Sequence, residues 1–272
     1  HSWGRWSFAD RAAVFLRAAD LLAGPWRHRI NAATLLGQGK TPHQAEIDAA
    51  CELADFWRFN VHYAEQLLHE QPISVPGVWN RLDWRPLEGF IYAITPFNFT
   101  AIGGNLPTAP AILGNVVLWK PSATASLSNW LIYDLLREAG LPPGVIQFIP
   151  GDSASTTRTL LDSKHLAGVH FTGSTPVFQS IWKDVAERLP TYRGYPRLVG
   201  ETGGKDFVIA HPSADPKVVA TALSRGAFEF QGQKCSAASR AYIPENIWPA
   251  VKKELLADLA EMKMGDPRDF KN

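Results

Sequence analysis

Between residues 89 and 188, apolar runs of strand length alternate with helix-length segments, and this alternation restricts the possible folds more than any other feature of the chain. Residues 89–94 read as a strand, 100–113 as a helix and 115–119 as a strand. Residues 125–139 read as a helix closed by Gly140, 145–149 as a strand, 155–161 as a helix, 168–171 as a strand and 175–188 as a helix. The strand segments are apolar and β-branched, as required where helices cover both faces of a sheet. The expected fold is therefore α/β: a Rossmann-like parallel sheet with helices on both faces. Such sheets bind nucleotides beyond the carboxyl ends of their strands. The fingerprint G-x-G-x-x-G is absent, so a phosphate site would have to be built another way.

Three helical patterns precede the sheet, at 7–22, 26–36 and from 42 to about 71. In the third, Ile47, Ala50, Cys51, Ala54, Trp57, Val61, Ala64 and Leu68 recur at three- and four-residue steps, which predicts one apolar face and makes Cys51 a small buried hydrophobe. The Pro-, Trp- and Arg-rich stretch 72–86 reads as a connector carrying a short hairpin. The expected organisation is helices and connector of the cofactor domain at 1–86, a nucleotide-binding domain at 87–230, and the start of a catalytic domain at 231–272.

Lys and Arg total 27 against 26 Asp and Glu, so nothing in the charge calls for nucleic acid or an anionic membrane, and a small molecule is the expected partner. The two cysteines are far apart in a chain too large to need stapling, which predicts free thiols. Zinc spacings, G-x-S-x-G and the P-loop motif are all missing, and the expected metal content is none. The opening residues carry neither an initiator Met nor a signal-like apolar stretch, and the chain is expected to begin inside a longer protein.

Five short segments can carry chemistry, and each also has a plain structural reading. In Phe171-Thr172-Gly173-Ser174-Thr175 a strand ends in a turn that opens a helix, which suits a pyrophosphate, though Ser174 can equally be an ordinary N-cap. Trp119-Lys120-Pro121-Ser122 ends another strand on the same edge; Lys120 can reach a ribose or phosphate there, or remain a solvated charge. After Thr95-Pro96-Phe97, the Asn98 amide offers N–H donors for an oxyanion, or caps the next helix. Glu201 precedes Thr202 and the pair Gly203-Gly204, suiting a general base that must approach and withdraw, or a turn glutamate. Cys235, next to Lys234 in a loop of small and polar residues, is a candidate nucleophile or a structural thiol.

Together and in this order, Pro-Phe-Asn-Phe, Trp-Lys-Pro-Ser, Phe-Thr-Gly-Ser, Glu-Thr-Gly-Gly-Lys and Gly-Gln-Lys-Cys resemble the aldehyde dehydrogenase superfamily. Glu88-Gly89-Phe90, the run from Pro96 to Asn105, and Phe228-Glu229-Phe230 leading to Cys235-Ser236-Ala237 look most like its 1-pyrroline-5-carboxylate dehydrogenase branch, which oxidises glutamate γ-semialdehyde to glutamate in proline catabolism. The resemblance implies Cys235 as nucleophile, Asn98 with the Cys235 backbone N–H as oxyanion donors, and Glu201 as the base that activates water. It implies cofactor contacts at Thr95, Pro96, Lys120, Ser122, Gly173 and Ser174, and substrate contacts at Phe99, Ser236 and, near the pocket mouth, Glu52. Ala123 stands where many NAD-selective relatives carry an acidic residue, so NAD is the implied cofactor with NADP possible. The resemblance further implies a homo-oligomer, a truncated catalytic domain with little turnover from this stretch alone, and a cytoplasmic or mitochondrial-matrix site for a bacterial or eukaryotic source respectively. Two alternatives stay open: an aldehyde dehydrogenase for another aldehyde, and a catalytically silent nucleotide-binding fragment.

Overall fold

A computed structural model describes residues 2–272. Helix α1 (Phe8–Ala23) starts where the Ser7 side chain accepts from the Asp10 N–H, and α2 (Arg27–Gln38) stops at Gly39, whose φ of +69° is a conformation that favours glycine. Thr41 and Gln44 form a reciprocal capping box that launches α3 (Pro42–Ala45). A π-helical turn (Glu46–Cys51) then joins α3 to α4 (Glu52–His69) without a break.

That π-turn corrects the expected apolar face. Its extra residue per turn rotates the helix phase, so Asp48, Ala49 and Ala50 turn inward while Ile47 is 43% exposed. Cys51 is exposed and not buried, with its Sγ 3.5 Å from Glu46 Oε1. The 72–86 stretch is also not a paired hairpin. It turns at Gly77, and its arms are tied by Asn80 donating to the Ile73 carbonyl (2.9 Å) and to Ser74 Oγ (3.0 Å), with no strand ladder.

The predicted alternation is present throughout: β1 (Phe90–Ile94), α5 (Thr100–Ile112), β2 (Val116–Lys120), α6 (Ser126–Glu138), β3 (Ile146–Phe148), α7 (Ser153–Leu161), β4 (Leu166–Gly173) and α8 (Thr175–Glu187). β5 (Arg197–Thr202) adds an edge strand that the pattern did not announce. All five strands run parallel in the order β3-β2-β1-β4-β5. Successive β1 side chains face opposite ways: Ile91 and Ala93 join Val117, Trp119 and the helices α1, α2, α4, α5 and α6, whereas Tyr92 joins Val169, Phe171 and the helices α7 and α8. Pro110 inside α5 has no N–H for the Leu106 carbonyl, and His170 Nδ1 on β4 supplies the missing bond at 2.9 Å.

Register fixes what meets at the carboxyl edge. Ile94 lies opposite Lys120 and Phe171, Phe171 opposite Gly200, and Thr172 opposite Glu201, so the ends of β1, β2, β4 and β5 are level. The chain winds outward from β1 to β3 and returns on the other side of β1 as β4. This places the topological switch, where open α/β sheets hold ligands, between Thr95 and Gly173.

β6 (Asp206–Ile209), α9 (Pro216–Phe228), β7 (Ala238–Tyr242) and α10 (Trp248–Glu261) complete the chain. β6 pairs with β7 in a separate sheet, and Val219, Leu223, Ile247 and Val251 form a separate core. By sheet and core, residues 206–228 pack with β7 and α10.

Candidate active site

The carboxyl edge of the large sheet collects the expected cofactor residues. Thr95 is buried, and its hydroxyl accepts from the Trp119 indole (3.0 Å) while its N–H donates to the Lys120 carbonyl (3.1 Å). Pro96 follows, also buried. Lys120 is not a solvated charge: it is 2% exposed, burial pushes its pKa down, and one of its three donors goes to the Pro121 carbonyl (2.8 Å). Ser122 and Phe97 share a cleft of about 390 Å³ with Phe230 and Gln233, so this edge opens directly onto the segment before Cys235. Gly173 is required sterically, since a Cβ would come within 2.6 Å of the Phe171 ring. Ser174 does not cap α8 through its side chain, and the first N–H groups of that helix are left for another acceptor.

A larger cleft of about 850 Å³ opens between α4 and the Cys235 loop, lined among others by Glu52, Phe59, Phe99, Arg225, Lys234 and Ser236. All three residues expected to meet substrate, Phe99, Ser236 and Glu52, line it. The π-turn carries Glu52 into this wall, where one carboxylate oxygen is buried without a hydrogen-bond partner. Burial, then the nearby Asp48 charge, raise its pKa to about 7 against the pull of Lys40 and Lys234.

Asn98 does not cap α5, whose N-cap is Phe99; its amide donates instead to the Gln233 carbonyl at 2.8 Å, tying the turn after β1 to the Cys235 loop. Cys235 is half-buried between two residues of the cleft wall. Glu201 lies within β5 and not in a turn, with its carboxylate accepting from Thr172 Oγ1 at 3.3 Å. Gly204, just beyond it, packs on the Cys235 carbonyl so closely that a Cβ would stand 1.9 Å from that oxygen. The second glycine of the pair is therefore fixed by contact with the backbone of Cys235.

Below the cleft lies a charge network that the motifs did not reveal. Lys40 is fully buried; its ammonium donates to Asp48 (2.7 Å) and to the Asn98 carbonyl, and lies over the rings of Phe99 (4.5 Å) and Phe230 (4.6 Å). Asp48 also holds Lys234 at 3.0 Å, and Lys234 reaches Glu229 at 3.2 Å. Burial lowers the pKa of Lys40. The same desolvation acts on Lys234, but Asp48 and Glu229 outweigh it and its pKa is raised. Phe230 and Gln231 have φ of +48° and +52°, strained values for side-chain-bearing residues at about 1–3 kcal/mol each. Nothing in Gln-Gly-Lys-Thr-Pro marks Lys40 as buried, and no spacing rule joins it to residue 234.

The aldehyde dehydrogenase family model matches residues 1–272. The chain belongs to the aldehyde dehydrogenase family. It is 54% identical to the mitochondrial delta-1-pyrroline-5-carboxylate dehydrogenase of Emericella nidulans, covering 100% of this chain and 48% of that protein. It is 55% identical to that of Homo sapiens, covering 98% and 47%. The delta-pyrroline-5-carboxylate dehydrogenase of Mycobacterium tuberculosis, solved bound with NAD, superposes with a TM-score of 0.97 at 60% identity, over 100% of this chain and 51% of that one. The chain thus spans about half the length of the relatives it matches. Among the described residues, no helix is long and apolar enough to cross a membrane and no cluster of His, Cys, Asp or Glu is arranged to hold a metal ion.

Proposed function

We propose that the full-length protein oxidises glutamate γ-semialdehyde to glutamate with NAD, in proline catabolism, through a covalent thioester on Cys235. One convergence carries this reading: the Asn98 amide holds the Gln233 carbonyl while Gly204, just past Glu201, packs on the Cys235 carbonyl. The proposed nucleophile and oxyanion donor thereby meet at one loop beside an open cleft, and the proposed base lies three residues before the glycine that packs on it.

In the proposed cycle the Cys235 thiolate forms a C–S bond to the aldehyde carbon, and the carbonyl pair moves onto oxygen. The Asn98 amide and the Cys235 N–H hold that oxyanion. NAD held by the residues of the sheet edge would supply the acceptor for the hydride that leaves the thiohemiacetal carbon as the thioester carbonyl forms. Glu201 then takes a proton from water, the water oxygen attacks the acyl carbon, and the C–S bond breaks to return the thiolate. The residues present suit the cofactor: the uncapped start of α8 offers N–H groups to a pyrophosphate next to Gly173 and Ser174, and Lys120 has donors left for the adenosine ribose beside Ser122, Thr95 and Pro96. Ala123 places no carboxylate there to repel a 2′-phosphate, so NADP is the second cofactor to test.

Phe99, Ser236 and Glu52 are assigned to substrate. We further propose that the first unit, through Thr202, binds cofactor and that the second begins the catalytic domain. A homo-oligomer is proposed on the exposed apolar arm of 72–86, where Ile73 is 87% and Trp79 78% exposed. The compartment would follow the source: cytoplasm in a bacterium, the mitochondrial matrix in a eukaryote.

The test is NADH formation by the full-length protein with pyrroline-5-carboxylate, abolished by Cys235→Ala. Activity with alkyl aldehydes alone would move the assignment to another substrate. Binding of NAD without any Cys235-dependent reaction would leave only a nucleotide-binding protein.

A further inference from the structure

We infer that Lys40 is a positioning residue for the nucleophile: its buried ammonium fixes the Asn98–Phe99 turn and the Phe230 segment relative to each other, so that Cys235 and the Asn98 amide address the same carbonyl oxygen. This rests on the aldehyde-oxidation reading of the site and adds to it a residue from the helical preface, far from the motifs in sequence.

Three contacts lead from Lys40 to the nucleophile loop. Through the Asn98 carbonyl it holds the turn whose side chain bonds Gln233. Through Asp48 it is joined to Lys234, the residue before Cys235. Through its place over the Phe230 ring it pins the first of three consecutive residues, Phe230, Gln231 and Gly232, with φ of +48°, +52° and +69°. A strained backbone of this kind persists only where its surroundings over-determine it, and Phe230 is 2% exposed beneath the ammonium. Stability alone does not account for a fully buried lysine, because an apolar side chain of similar volume in place of a buried ion pair is often neutral or stabilising. An apolar side chain cannot, however, hold the Asn98 carbonyl, Asp48 and two ring faces from one point.

The experiment uses the full-length protein and compares wild type, Lys40→Met and Phe230→Leu. It measures kcat and KM with pyrroline-5-carboxylate, NAD affinity by calorimetry, melting temperature, and the rate of Cys235 alkylation by iodoacetamide resolved by mass spectrometry. For Lys40→Met, kcat should fall on the order of 10²-fold, the cost of about 1 Å of misplacement, while NAD affinity falls much less than kcat. Alkylation of Cys235 should slow by about tenfold, because the loop that presents the thiol loses its hold on the Asn98–Phe99 turn. Phe230→Leu leaves the Lys40–Asp48 pair intact and should shift kcat and alkylation in the same direction by less, and it decides the question if Lys40→Met does not fold. Folded variants whose kcat and alkylation rate equal wild type overturn the inference. A wild type that oxidises no aldehyde would sink the dehydrogenase reading, and the alkylation rates would still decide the role of Lys40.

Discussion

Gly204→Ala places the sharpest demand on the proposed site. The Cβ it adds would stand 1.9 Å from the Cys235 carbonyl oxygen and 2.9 Å from its carbonyl carbon, and both neighbours are backbone that cannot rotate away. Reaching even the tight separation of 3.0 Å requires the oxygen to move about 1.1 Å. Gly204 carries no strained φ, so the effect is purely one of contact. A displacement of about 1 Å at a reacting group costs on the order of 10²-fold in rate, or about 2.7 kcal/mol of barrier. The expected outcome is a kcat lowered about 10²-fold, with NAD affinity changed less, because the two backbone atoms that the added Cβ would meet belong to Cys235. NADH formation by the full-length variant, beside calorimetric titration with NAD, measures both. Gly203→Ala separates contact from hinge freedom, because its Cβ would meet nothing within 4 Å. A loss at 203 as deep as at 204 would show that chain flexibility matters and not the packing on Cys235. Wild-type kcat in a folded Gly204→Ala protein would refute the steric argument outright.

Two further outcomes are expected of the site. Glu201→Gln should release one equivalent of NADH and then stall, with the steady-state rate down about 10²–10⁴-fold as the thioester waits for an activated water; undiminished steady turnover would remove Glu201 from the deacylation step. Glu52, raised to about 7 chiefly by burial, binds its proton more tightly folded than unfolded, so its contribution to stability is complete below the ordinary carboxyl range and is lost as pH climbs through about 7. Glu52→Gln keeps the neutral form at every pH, and its melting temperature should gain on wild type as pH rises from 4.5 to about 7 and change no further above that; a difference that does not change with pH would show that Glu52 titrates normally.

The elements legible in the sequence are those whose residues face one environment along their whole length. β1, β2 and β4 are covered on both sides, so their apolar runs need no knowledge of neighbours to be recognised, and the helices between them are punctuated by residues such as Gly140 at φ +103°. β5 escaped because it is an edge strand with little burial, and its Gly200 reads as a turn residue. In the strand a Cβ at that position would stand 2.2 Å from the Phe178 ring. Cys51 was misplaced for a different reason: a 3.6-residue period cannot register one π-turn, and a single extra residue moved the thiol from core to cleft.

The site divides along the same line. Asn98, Glu201 and Cys235 were singled out from short local contexts at strand ends and loops, and the structure brings the Asn98 amide to the Gln233 carbonyl and Gly204 to the Cys235 carbonyl. Lys40 and Asp48 were not singled out, since a lysine in a Gly-Lys-Thr-Pro turn is indistinguishable from a solvated one until the fold buries it. What buries it is the π-turn, which faces Asp48 inward as its counter-ion and sends Glu52 and Cys51 to the cleft from the same few residues. One local irregularity therefore sets both the wall of the cleft and the support beneath it. A single-residue deletion that restored regular α-helix at 46–51 would have to displace one of the two, and could not leave both Asp48 against Lys40 and Glu52 in the cleft wall.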